Sequence, residues 1–169
     1  MTWLDWILVA IVAFSILQGL RRGALAAAGG VLGVLIAYVA ASYWYASLVA
    51  AFAFIPVSPP WQATIAFAVL FLGANGLLSV AASLLLGVAD AAPVSRLIGV
   101  AVGGIRGILL FSVLVTAAMA SPAGDPISSD VTRSALVGAV AEAHVAAVEW
   151  LNARLPDTIR LFGGGATRF

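Results

Sequence analysis

The chain has 169 residues, 63% of them hydrophobic and 9% charged, whereas a soluble domain runs at about 25% charged and under half apolar; so little polar surface excludes a soluble globule. Apolar runs long enough to cross a bilayer recur along the whole length, which sets the class as an all-α integral membrane protein. The formal net charge is +1, all eight basic residues are arginines and cysteine is absent; the arginines are scattered, so nucleic-acid binding is excluded, as are disulfides, thiol chemistry and thiolate metal sites.

In chain order, the first apolar run is Trp3 to Leu20, 18 residues, about 27 Å of helix and enough to cross the hydrocarbon. No basic residue precedes it, and Arg21 and Arg22 follow it. That is the reverse of a signal peptide, so the run reads as a retained first span. The second run starts at Ala24. Ser42-Tyr43-Trp44-Tyr45 lies about 30 Å beyond Arg22 along a helix, where an interfacial aromatic belt belongs, which puts the span at 24–45. Residues 46–55 then extend along the interface into the breaker Pro56-Val57-Ser58-Pro59-Pro60. The third run, 61–88, is too long for an untilted helix and is expected to tilt or project; Asp90, Pro93 and Arg96 mark its end. The fourth, 97–120, closes in Ser121-Pro122-Ala123-Gly124-Asp125-Pro126, a loop by its turn residues. Four transmembrane helices within residues 1–126 result.

Beyond them, Val137, Val140, His144, Val148, Leu151 and Leu155 recur at spacings of three and four, with Glu142 and Glu149 on the opposite side. The pattern predicts a C-terminal amphipathic helix. Ser129 or Asp130 caps its start and Pro156 ends it. Such a helix lies on the membrane surface or packs on the bundle, and Gly163 to Gly165 open a flexible tail, so 127–169 is an interfacial unit. For orientation, the first loop carries Arg21 and Arg22, the second no charge, and the third Arg96 against Asp90. The first and third loops are therefore expected in the cytoplasm, with both termini outside.

On a helix turning 100° per residue, Arg96, Gly99, Gly103, Arg106 and Gly107 share an arc of about 100°. The glycines extend the small-xxx-small pattern that lets membrane helices approach closely, as do Gly29, Gly33, Ala37 and Ala41, and packing accounts for both stripes. Arg106 is a different case. It lies about 15 Å past Arg96, near mid-bilayer, where an arginine costs about 3 kcal/mol and needs partners in the bundle. Asn75, near the middle of the third span, is the leading candidate, with Ser79 and Ser83 on the same helix. Alternatively, a shallow tilted segment lets Arg106 snorkel to the headgroups. Asp5, between Trp3 and Trp6, reads as an anchor at a helix N-terminus, favoured by the dipole and by interfacial tryptophans. The sole histidine, His144, sits on an apolar stripe, and no HExxH, GxSxG or GxxxxGK[ST] is present. Neither an enzyme nor a bound metal or cofactor is expected.

The opening WLDWILVAIVAFSILQGLRRG, with Asp5 beside tryptophan, an apolar span and then Arg22-Gly23, resembles the colicin V production protein (CvpA) family of bacterial inner-membrane proteins. So does RLIGVAVGGIRGILL, in which Arg96, Gly99, Gly103, Arg106 and Gly107 fill the family's R-x-x-G-x-x-x-G-x-x-R-G pattern. The likeness spans residues 1–120. It departs at Ala24 to Ala28, nearly all alanine where many relatives carry a further charge. The resemblance implies a non-catalytic protein of the cytoplasmic membrane, tied to colicin V production or secretion and to envelope homeostasis. Its partners would be the bilayer and other envelope proteins or copies of itself. A competing reading is a small transporter or channel subunit in which Arg106 and Asn75 bind an anionic solute at midplane; four helices are few for a path, so that version needs a homo-oligomer. A third is a scaffold for an extracytoplasmic partner held through residues 127–155.

Overall fold

A computed structural model describes residues 2–51, 56, 58–86, 93–121 and 124–154. Five helical elements follow in order: α1 (Trp3–Ala51), α2 (Pro59–Leu86), α3 (Pro93–Met119), α4 (Gly124–Arg133) and α5 (Ala135–Asn152). The first three are long and apolar enough to cross a membrane. Asp90, Pro122, the tail from Leu155 with its Pro156 and Gly163 to Gly165, and the end of the expected 46–55 extension lie outside the described residues.

Straight, α1 would be 49 residues, about 74 Å, more than twice a hydrocarbon core. It is not straight. Gly23 has φ 78° and ψ 177°, a conformation that only glycine adopts without strain, and it breaks the helix. The contacts of α3 show how far the chain turns there. Gly19, Ser15 and Val12 meet Gly99, Gly103 and Gly107 in turn, so residues 3–22 run antiparallel to α3. Beyond Gly23 the order inverts: Ala24 donates its N–H to Ser95 Oγ at 3.0 Å, Gly30 lies against Arg106, and Val34, Tyr38 and Ala41 share a core with Val113 and Ala117. Residues 24–51 therefore run parallel to α3 and antiparallel to residues 3–22. The single glycine turns α1 into a hairpin, and with α2 and α3 the bundle has four apolar arms.

The second arm sits at the centre. Gly33 faces Leu78 and Tyr38 meets Phe67 edge-on, which packs α2 antiparallel to it. Phe67 and Phe71 stack in the same core. The outer surface is inverted relative to a soluble protein: Leu77, Leu84 and Leu85 of α2 are 76%, 73% and 81% exposed. Leucines at that exposure suit a lipid solvent, in which close packing and not apolar burial holds helices together.

The C-terminal region departs from the single amphipathic helix expected there. It forms two helices, α4 and α5, bent by 111°. Ser134, not Ser129 or Asp130, is the cap: its extended backbone (φ −101°, ψ 119°) ends α4, and its hydroxyl accepts from Val137 N–H, the interaction that favours serine at a helix start. Ile127 and Val131 of α4 pack with Leu4, Leu8, Phe111 and Val115. Helix α5 packs on the bundle through Val137, Ala141 and Val148, leaving Glu142 and Glu149 exposed.

Candidate functional site: a cleft beside Arg106

Arg106 is the middle residue of α3 and only 8% exposed. Helical side chains lean toward the N-terminus of their helix, so its stem points back toward the Gly23 end of the bundle. Nη1 donates to Gln18 Oε1 at 3.1 Å and Nη2 to Ser79 Oγ at 2.5 Å. Gly30 makes room for the stem: a Cβ there would stand 3.1 Å from Arg106 Cδ. Of the two expectations for this side chain, the geometry gives the buried one, but with other partners. Asn75, the leading candidate, does not bond it. One turn from Ser79 on α2, Asn75 is 9% exposed and its Oδ1 has no partner among the described residues. Ser83 bonds Val80 O instead. Gln18, which the pattern of the first run does not single out, is the only amide in that run, whose other polar residues are Asp5 and Ser15, and a lone amide there is itself a signal.

Residues 3–22, α2 and α3 do not close completely around this group. They leave a cleft of about 250 Å³, lined by Ser15, Gln18, Arg22, Asn75, Ser79 and Arg106 among others. Two guanidinium groups face it, and among the described residues no carboxylate does. Arg106 Nε is buried without a partner among the described residues.

The glycines of the arginine-glycine pattern build the wall behind that cleft. A Cβ at Gly99 would collide with the Gly19 carbonyl, one at Gly103 would come within 2.5 Å of Ser15 O, and one at Gly107 within 2.8 Å of Val12 Cα. The backbones thus touch, as small-xxx-small stripes allow. The two arginines of the pattern part company: Arg96, near the start of α3, is exposed and does not line the cleft. Arg22, half-buried beside the Gly23 turn, does.

Asp5 forms a second polar centre at the opposite end of the first arm. It is 4% exposed. Oδ2 accepts from Thr2 N–H at 2.7 Å and from Thr2 Oγ1 at 3.3 Å, which closes the first turn in the manner of a capping box. Oδ1 accepts from the Ser134 hydroxyl, which in turn accepts from Val137 N–H at 3.1 Å. One carboxylate therefore serves the starts of two helices 129 residues apart in sequence. Beside it, Trp3 Nε1 donates to Asp130 Oδ2 at 2.6 Å. Asp5 is an anchor to protein, not only to the interface.

His144 lies between these centres. Ser112 Oγ is 3.2 Å from its Nδ1, and with the Ser112 hydroxyl donating to Leu109 O, the matching tautomer carries its proton on Nδ1. In that tautomer Nε2 is a buried acceptor without a partner among the described residues, and the ring lies edge-on to Tyr38 at 5.6 Å. Burial lowers the imidazole's pKa. Among the described residues no three His, Cys, Asp or Glu side chains gather as metal ligands would.

Compared with known proteins, the chain matches the family model described as colicin V production protein over residues 4–145, from the first arm into α5. No curated protein and no solved structure matches it.

Proposed function

The chain belongs to the colicin V production protein family, and from that premise we propose that it works in the bacterial cytoplasmic membrane, in the production or secretion of a colicin V-type peptide toxin and in envelope homeostasis. It does so by contact with envelope partners or with copies of itself, without catalysis. The observation that carries this reading is the extent of the match: it takes in all four apolar arms and most of α5. An orientation with both termini outside is supported by charge placement. The Ala24–Ser95 bond brings Arg21, Arg22 and Arg96 to one end of the bundle, and that end belongs in the cytoplasm by the excess of arginine there.

A toxin-producing host lacking its own family member tests the function. Expression of this chain restores secreted toxin; insertion in the membrane without restoration overturns the proposal. A reporter active only in the cytoplasm, fused after Phe169, stays silent if the orientation holds. The arginine-lined cleft favours one second reading, a subunit of a transporter for an anionic solute. Anion flux into vesicles holding the purified chain supports it, and vesicles that stay tight at every protein density exclude it.

A further inference from the structure

We propose that the cleft between residues 3–22 and α2 binds a phosphate-type oxyanion, carried by an anionic lipid headgroup or free in solution. The first reason is charge. Arg106 and Arg22 both line the cleft, and among the described residues no carboxylate lines it and Arg22 makes no hydrogen bond or ion pair. An arginine at this depth is costly, and arginines so placed pair with a counter-charge or face a polar cavity.

The second reason is the set of polar side chains that share the lining with Phe14, Gly76 and Leu110. Gln18 and Ser79 use their oxygens to accept from Arg106. The Gln18 amide N–H groups and the Ser79 hydroxyl proton are thereby left to donate. Asn75, nine-tenths buried and lining the same space, has an unengaged side-chain amide that nothing around it orients, so it can present its NH₂. Arg106 itself has five N–H groups and spends two. A lining of two guanidinium groups and several free donors repels cations and suits an acceptor-only ligand.

The third reason is shape. A guanidinium fork matches the oxygens of phosphate and binds them two at a time. At about 30 Å³ per water, a cleft of about 250 Å³ admits a tetrahedral oxyanion with part of its hydration. Arg22 sits beside the Gly23 turn and Arg106 deeper, so the ligand would be met first by one arginine and then by the other. Binding is separable from transport: a bound oxyanion with no flux leaves the inference standing and removes the transporter reading alone.

The test uses the full chain in neutral detergent, with the thermal unfolding midpoint read against sodium phosphate, against sodium chloride at matched ionic strength, and against added phosphatidylglycerol or phosphatidylcholine. A saturable rise with phosphate but not with chloride identifies a free oxyanion as ligand. A rise with phosphatidylglycerol, absent with phosphatidylcholine and with phosphate, identifies the headgroup. In either case Arg22→Gln raises the half-saturating concentration at least tenfold while Arg96→Gln, outside the cleft, leaves it unchanged. Arg106→Met abolishes the response; should that variant not fold, Asn75→Leu with Arg22→Gln carries the test. No rise with either phosphate source, or equal responses from the Arg22 and Arg96 variants, overturns the proposal.

Discussion

Asp5 and Arg106 are both charged, both buried by the protein and both surrounded by apolar helices, yet they are treated in opposite ways. Both Asp5 oxygens are engaged, by Thr2 on one side and Ser134 on the other, and its network ends in the backbone N–H of Val137. Arg106 is held by two neutral acceptors, keeps a buried Nε without a partner among the described residues, and faces a cleft that holds a second arginine. A closed network rigidifies and specifies a fold; an open one has capacity left over. The first centre ties α5 to the start of α1. The second presents donors.

The substitution with the largest expected effect removes the frame both centres share. Gly99→Val drives a side chain into the Gly19 carbonyl, forcing α3 off the first arm at a cost of about 3 kcal/mol or more. Neither centre survives that separation, and little folded protein is recovered in detergent. Ser134→Ala acts on the closed centre alone. Loss of the cap costs about 0.5–2 kcal/mol, and hydrogen exchange in α5 speeds up while α2 and α3 stay protected. If α2 and α3 loosen equally, Asp5 and Ser134 hold more than the C-terminal helix.

A smaller effect is expected from His144. Burial holds its pKa below the ordinary value of about 6.5, so the undocked state binds the proton more readily. Docking of α5 is therefore at full strength above pH 6.5 or so and weakens as pH falls through the lowered native value. His144→Phe removes that dependence, read as α5 protection, corrected for the intrinsic pH dependence of amide exchange, that stays level from neutral pH down to the range in which Asp5 itself takes up a proton. The smallest change in stability belongs to Gly30→Ala. Alanine favours the helix by up to about 1 kcal/mol, and the new methyl meets the movable stem of Arg106 rather than backbone. Stability stays level or rises slightly while the guanidinium shifts in the cleft, which appears as a changed arginine Nε–H resonance.

Much of the bundle is legible in the sequence because membrane spans announce themselves by length and apolarity, which are local properties. Arg21, Arg22 and Gly23 mark the first reversal, although a hairpin closed on a single glycine needs the contacts of α3 to be seen. The glycines at 99, 103 and 107 foretell close packing, since nothing but a neighbouring backbone explains three absent side chains on one face. What local pattern does not carry is the identity of a distant partner. Asp5 and Ser134 are 129 residues apart, and serines are common enough that no spacing singles one out. The cap of α5 is hidden from local pattern for a related reason: Ser129 and Asp130 are good caps in isolation, but α4 occupies them because Val131 and Ile127 have a core to fill. Gln18 replaced Asn75 as the partner of Arg106 because the hairpin swings the first arm over α3, a tertiary event.

The difference between the two centres is tested most directly by unfolding Asp5→Asn and Arg106→Met side by side with the parent protein, in one membrane mimic free of phosphate and anionic lipid. Asp5→Asn is expected to lower the midpoint and release α5. Arg106→Met is expected to match the parent or exceed it, since among the described residues Arg106 has no ionic partner to be left behind as an unpaired charge, and Gln18 and Ser79, which it releases, line the cleft and can turn to water. An Arg106→Met chain that unfolds well below the parent, while Asp5→Asn melts with it, would make Arg106 the structural charge and contradict the assignment of both.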